Sequence, residues 1–371
     1  MKSSQRIPWS EFSQWGHERS YVLDALDSTW VSGGVYNKRL EEAFENNLHL
    51  PHVLTVSNGT SALQLAFLGL GIKPGDEVIV PGFGFMAAAN VLLQMNALPV
   101  FADVSKENWC LDPTILPGLV SSKTKAIVAI HNYGVAENID AFTSFARNHN
   151  LILIEDCAES IFTKYRGQYC GTFGDVSTFS LHATKTISSG EGGVVGCSDL
   201  HLFNKMRLIR SHGLGREQVH YWHEQYGNNF RLSNVLAAIG LAQLEMHEKI
   251  IHEKQRVYRH YVKNLSDVKN ITFQGYSKNC DPVIWAIAIK INFSGLNITR
   301  DGLLEHLLGS GIECRPGFYT PEQMPLYKKY CTSTLDVANK IASHVIVLPS
   351  HASLQNAQID YICEKLVTAI S

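Results

Sequence analysis

The stretch SLHATKTISSGEGGVV (181–196) sets one lysine, Lys185, between a hydroxyl-rich run and the glycine-rich Gly190-Glu191-Gly192-Gly193. A solvated surface lysine needs no such setting. A lysine that bonds covalently to a partner in a tight pocket does. Two other short segments could do chemistry. In Ser57-Asn58-Gly59-Thr60-Ser61, free amides at a helix start, a glycine permitting close approach and three hydroxyls suit a phosphate. Taken alone, the same residues make an ordinary helix cap. Glu155-Asp156 ends the apolar run LILI, which puts a carboxylate at the end of a strand, where it faces a ligand or caps a neighbouring helix. Ser180, five residues before Lys185, adds another hydroxyl.

In combination these features point to one cofactor. Pyridoxal phosphate needs a lysine to form an imine, a carboxylate to keep the ring nitrogen protonated and a cradle for its phosphate. Lys185, Asp156 and the Gly59-Thr60-Ser61 segment with Ser180 are the candidates. Phe85, in PGFGFMAAAN, is the candidate to lie on the ring, with core packing as its plainer role.

The elements that must hold these residues alternate along the chain. HVLTVS (52–57), EVIVP (77–81), PVFADV (99–104), KAIVAIH (125–131), LILIED (151–156), DVSTFSL (175–181) and GGVVGC (192–197) read as strands. Helical patterns such as TSALQLAFLGLG and AFTSFARNHN lie between several of them. Fully apolar strands alternating with helices imply a mostly parallel sheet covered on both faces. Ligands of such sheets sit beyond the carboxyl ends of the strands. Residues 233–265 lack proline and predict one long, bent helix leaving the first domain. VIWAIAIKI (283–291), a helix near 300–309 and VIVLP (345–349) predict a smaller α+β domain. The expected division is 1–245, a large domain with an amino-terminal segment, and 246–371.

A rival reading rests on GFGFMA (82–87), which follows a strand, opens a helix and fits a dinucleotide-binding fingerprint. Asp103 would then hold a ribose hydroxyl in a nicotinamide or flavin oxidoreductase. Pro81 and an earlier strand–helix unit speak against it, and Lys185, Asp156 and the GEGG run are left without a role. A non-catalytic regulator on the same fold is the other alternative.

Composition limits the partners. The 371 residues carry a net charge of −2, which gives no broad basic face for nucleic acid or an anionic membrane. The eight cysteines include no CxxC pair, and His220 and His223 lack a nearby carboxylate or cysteine set, so no metal is expected. No apolar signal core or membrane-length run stands out, and a cytoplasmic location is expected.

The sequence resembles the sugar-nucleotide aminotransferases of the DegT/DnrJ/EryC1/StrS family over nearly its whole length. The resemblance is carried by STWVSGG (28–34), SNGTSAL (57–63), KPGDEVIVP (73–81), IEDCAES (154–160), GTFGDVSTFS (171–180), K-x-I-S-S-G-E-G-G (185–193), GNNFRLSNVLAAIGLAQLE (227–245), GIECRP (311–316) and LPSHASL (348–354). Within that family it is most similar to the GDP-perosamine synthase branch, through DSTWVS, EDCAES, HYW (220–222) and LPSHASL. The resemblance implies fold type I and a pyridoxal-phosphate-dependent aminotransferase. It would move an amino group from L-glutamate to C4 of a nucleotide-linked 4-keto-6-deoxy sugar, for surface polysaccharide synthesis. A 3-keto sugar, or a UDP- or dTDP-linked one, is the alternative.

Residue by residue, the resemblance makes Lys185 the imine lysine and proton carrier, and Asp156 the partner of the ring nitrogen. Gly59, Thr60, Ser61 and Ser180 would hold the phosphate, with Asn229 reaching it from the other subunit of a homodimer. Phe85 would stack on the ring. Arg231 and Arg315 would contact glutamate or the sugar nucleotide, or be structural. Glu159 stands where many relatives carry glutamine or histidine, and would tune the cofactor or hold its loop. His182 stands where the perosamine branch carries an aromatic residue, which bears on the sugar pocket. Dehydratase relatives have histidine in place of the lysine, so Lys185 argues for amino transfer.

Overall fold

The computed structural model describes residues 6–136, 138–215 and 219–371. Helices α1 (Glu18–Asp27) and α2 (Val35–Leu48) precede β1 (His52–Val56) and α3 (Gly59–Leu70). Then come β2 (Glu77–Pro81), α4 (Ala87–Gln94), β3 (Leu98–Ala102), β4 (Thr124–Ile130), α5 (Ile139–His149) and β5 (Ile152–Asp156). A small ribbon, β6 (Lys164–Tyr165) and β7 (Gln168–Tyr169), leads to β8 (Val176–Ser180), β9 (Gly193–Cys197) and α6 (Leu200–Arg210).

Seven of these nine strands form a sheet in the order β1-β9-β8-β5-β4-β2-β3. Pairings from β3 through β2, β4 and β5 to β8 are parallel. β9 runs antiparallel to both β8 and β1. The expected mostly parallel α/β sheet is therefore present, with one reversed strand. The reversal follows from the connection between β8 and β9, residues 181–192, which turns back directly instead of crossing over through a helix. Lys185 lies on that turn. The carboxyl ends of β1, β4, β5 and β8 consequently open on the same side.

Capping sets several helix starts. The Asn58 side chain accepts from the Ser61 amide at α3, and Gly71 closes that helix in the left-handed conformation. The region expected as one bent helix is two. α7 (Asn234–Glu245), capped by Ser233, and α8 (His247–Leu265) meet at Met246, whose φ of −104° and ψ of 14° leave the helical region. α8 buries Ile250, Lys254, Val257, Tyr261 and Leu265, a stripe at the helical period.

Beyond α8 lie β10 (Ile271–Phe273), β11 (Cys280–Asp281), β12 (Ile287–Ile291), α9 (Arg300–Gly309), β13 (Arg315–Pro316), α10 (Asp336–His344), β14 (Val345–Leu348) and α11 (Asn356–Ile370). A four-stranded antiparallel sheet runs β10-β12-β14-β13. β11 joins β6 and β7 instead, tying the two halves of the chain. The amino-terminal segment also crosses over, with Ile7 bridging Ile312. One apolar cluster accordingly contains Leu40 and Phe179 together with Tyr261, Ile289 and Leu366.

Candidate active site

Both sheets contribute to a cavity of about 700 Å³ at the carboxyl ends of β1, β4, β5 and β8. It brings together Gly59, Thr60, Ser61, Phe85, Asp156, Glu159, Ser180, His182, Lys185 and Arg315. The cavity walls do not include Asn229 and Arg231. These two lie on the exposed strap leading to α7, where the Arg231 Nε donates to the Asn229 Oδ1 at 3.0 Å.

The strand β5 sorts its two terminal carboxylates by alternation. Asp156 faces the cavity, where the Ala158 amide donates to its Oδ1 at 3.1 Å. Glu155 points the other way. Its oxygens accept from the amides of Gly171, Phe173 and Gly174 at 2.8–2.9 Å and lie 3.2 Å from the His131 Nε2. Burial pushes the Glu155 carboxyl up, but His131 and those amides outweigh it and hold the group below its ordinary range. His131, Glu155 and Cys157 lie close enough to resemble a metal ligand set. The carboxylate is already saturated by amides, however, and burial raises the Cys157 thiol well above its usual value.

Lys185 sits among apolar walls and two carboxyls. Its Nζ is 3.7 Å from the Glu159 Oε1. Burial lowers the Lys185 amine, opposed by Glu159 and Asp156. Burial raises both of those acids. Glu159 is fixed by the Tyr133 amide, which donates to its Oε2 at 2.7 Å. Tyr133 adopts a left-handed φ of 58°, a strained backbone that aims its amide at this carboxylate.

At the other end, α3 presents its first amides to the cavity. Gly59 is pressed against β8: a Cβ there would lie 3.0 Å from the Ser180 Cβ. The Ser180 Oγ accepts from the His182 amide at 3.3 Å, leaving its own hydrogen free to donate. A helix start, a hydroxyl and a glycine packed close against β8 make a narrow anion cradle.

This arrangement fits pyridoxal phosphate. Burial disfavours the ionised form of Asp156 and Glu159, and a protonated ring nitrogen beside Asp156 would offset that cost for its carboxylate. Asp103, the ribose partner of the rival reading, is engaged elsewhere. Its carboxylate accepts from the amides of Val337 and Ala338 at 2.9 and 2.8 Å, at the start of α10.

Several wall residues are absent from the sequence-based candidates. Tyr133, Trp9, Trp285 and Phe318 line the cavity. Trp9 comes from the amino-terminal segment, and Trp285 and Phe318 from the second half of the chain. Tyr133 follows β4 and was findable from the strand-end rule alone. His182 contacts Thr184 at 2.9 Å, and Arg315 pairs with Glu313 at 2.5 Å beside Trp9.

Fold and cavity are those of a pyridoxal-phosphate-dependent aminotransferase of fold type I. The chain belongs to the DegT/DnrJ/EryC1/StrS aminotransferase family, whose model matches residues 14–367. It is 39% identical to the GDP-perosamine synthase of Escherichia coli O157:H7, over 97% of this chain and 97% of that protein. It is 39% identical to the GDP-perosamine synthase of Vibrio cholerae, over 96% and 97% of the two chains. Among solved structures, Helicobacter pylori PseC, an aminotransferase of pseudoaminic acid biosynthesis, superposes with a TM-score of 0.93 at 26% identity, covering 99% of each chain.

Proposed function

We propose that this aminotransferase moves the amino group of L-glutamate to C4 of GDP-4-keto-6-deoxymannose, giving a GDP-perosamine-like product for a surface polysaccharide. The observation that carries this reading is the near full-length likeness to two GDP-perosamine synthases, in a chain whose cavity gathers Lys185, Asp156 and the Gly59–Ser180 cradle.

When bound, pyridoxal phosphate supplies an aldehyde and a ring that takes up the electron pair of a carbon losing its proton. The amides of Gly59, Thr60 and Ser61 and the Ser180 hydroxyl would hold the phosphate, and Phe85 would lie on the ring. Asp156 would keep a proton on the ring nitrogen. The Lys185 amine would hold the aldehyde between turnovers. Once displaced by glutamate, it would carry the α-proton away from the donor and, in the second half of the cycle, deliver a proton to the sugar's C4. Glu159 faces the Lys185 amine and would steady its charged form. Arg315 and His182, at the mouth, would meet the carboxylate of the donor or the nucleotide sugar.

Asn229 and Arg231 would serve the active site of a second copy. The exposed aromatic side chains Trp30, Tyr221 and Tyr226 support a homodimer. We place the domain division between Glu245 and Met246, where α7 gives way to α8. The eight cysteines are free thiols, which suits a cytoplasmic location. No helix among the described residues is long and apolar enough to cross a membrane.

The test is amination of purified keto sugars, with the product read by mass spectrometry. GDP-4-keto-6-deoxymannose is expected to gain one amino group at the expense of L-glutamate. Faster turnover of a UDP- or dTDP-linked sugar, or of a 3-keto sugar, would replace the substrate assignment.

A further inference from the structure

The Lys185 ammonium has a second neighbour besides Glu159. Its Nζ lies 3.7 Å from the centroid of the Trp285 ring. The same indole donates from Nε1 to the Thr184 carbonyl at 2.7 Å, gripping the backbone immediately before the lysine. Trp285 is therefore joined to the Lys185 segment twice, once through its edge and once through its face.

The indole is itself fixed from several sides. Its amide donates to the Tyr133 carbonyl at 2.9 Å. The Tyr133 ring is nearly parallel to it at 6.3 Å, and Trp9 meets it edge-on at 5.8 Å. Its carbonyl accepts from the Lys254 Nζ, which also donates to the Ser350 carbonyl at 2.8 Å. The 7% of Trp285 that is exposed faces the cavity.

We propose that Trp285 is a further catalytic residue: its π face is the seat of the Lys185 ammonium whenever that amine is free of the cofactor. The inference rests on Lys185 being the amine that takes the aldehyde. Each turnover frees the lysine in a cavity where its ammonium is poorly solvated and where Glu159, 3.7 Å away, is its ion-pair partner. A π face attracts the cation and leaves the neutral amine almost untouched, so it favours the protonated form that returns a proton to substrate. The acids facing Lys185 are Asp156 at the end of β5 and Glu159 on the following turn. His182, on the lysine's own segment, is turned to Thr184 and Glu191, and Arg315 is turned to Glu313. The indole adds a cation-selective contact without adding a third buried carboxylate.

The test separates the π face from the size of the ring. Tryptophan at position 285 is replaced, by site-specific incorporation, with mono-, di- and trifluorotryptophan. Fluorine weakens the π face, keeps the shape and retains the indole N–H. Cofactor-free protein is mixed with pyridoxal phosphate, and the rate of growth of the visible absorption band is followed against pH. The midpoint of that profile reports the Lys185 ammonium. It is expected to fall stepwise with fluorine content, by about half to one pH unit across the series. An unchanged midpoint, with the band forming normally, overturns the role of Trp285. Failure of the parent protein to form any band would instead overturn the assignment of Lys185.

Discussion

Lys185 faces opposed demands. As a neutral amine it can attack an aldehyde, and as an ammonium it can return a proton. Burial favours the first form, while Glu159 and Asp156 favour the second. Replacement by alanine, Lys185→Ala, removes both abilities but leaves the cradle around Gly59 and Ser180 intact. Turnover is expected to fall by roughly a thousandfold or more. A fluorescence titration should still show cofactor binding, and full retained activity would remove Lys185 from the role. Glu159→Gln deletes a charge that raises the lysine, so the Lys185 ammonium should lose its proton at lower pH. The pH profile of cofactor capture should move to the acid side, and a shift to the alkaline side would contradict that sign. At this scale much was legible. The lysine between hydroxyls and glycines and the carboxylate ending an apolar strand need only local pattern. Strand alternation puts Glu155 and Asp156 on opposite sides, and the family resemblance chose Asp156 as the inward one. Trp285 was not legible, since a tryptophan inside an apolar run looks the same whether it packs in a core or lines a cavity.

At the scale of elements, the start of α3 and the body of α8 each carry a consequence. A methyl group at Gly59 would press on the Ser180 Cβ at 3.0 Å, so one of the two must give by a few tenths of an ångström. Gly59→Ala should displace α3 from β8 and separate the two sides of the cradle, weakening cofactor affinity about tenfold or more. Equilibrium dialysis with pyridoxal phosphate reads this directly, with the circular dichroism spectrum expected to stay unchanged. Lys254 of α8 is buried and satisfies the carbonyls of Trp285 and Ser350, a task that the two N–H groups of a neutral amine can perform. Burial brings its pKa down to about 7 from a usual 10.5. Between those values the unfolded chain binds the extra proton, so stability rises with pH across that window and flattens above it. Lys254→Met should abolish this part of the rise, as read from urea unfolding at pH about 7 and about 10. It should also lower stability at the alkaline end by on the order of 2 kcal/mol, because two buried carbonyls lose their donor. An identical pH slope in the variant would contradict the buried-amine account. The strands were legible here because apolar runs bounded by polar turns survive any context. The break at Met246 was not, since no proline or glycine marks it, and neither were the two-residue strands β6, β7 and β11, which exist only through pairing with one another.

At the scale of the molecule, the cavity is assembled from distant parts of one chain. The segments at the carboxyl ends of the seven-stranded sheet supply the lysine, the acids and the cradle, and the second half supplies Trp285, Arg315 and Phe318. The expected mostly parallel sheet with a smaller α+β part follows from the order of apolar runs, but the contacts between halves do not. The crossing of Ile7 to Ile312 and the pairing of β11 with β6 depend on tertiary fit that no local pattern encodes. Asn229 and Arg231 stay outside the cavity of their own chain, and in the proposed dimer they would serve the neighbouring site. Sedimentation at working concentration should then give twice the mass of the chain. Asn229→Ala should weaken cofactor binding without changing that mass, and a fully active monomer would contradict the sharing of sites. The measurement that bears most directly on the whole is the visible spectrum of the protein saturated with pyridoxal phosphate. A yellow band that bleaches with L-glutamate and returns with 2-oxoglutarate is the expected result. A folded, cofactor-saturated protein with no band, or a band indifferent to glutamate, would contradict glutamate-driven amino transfer at Lys185.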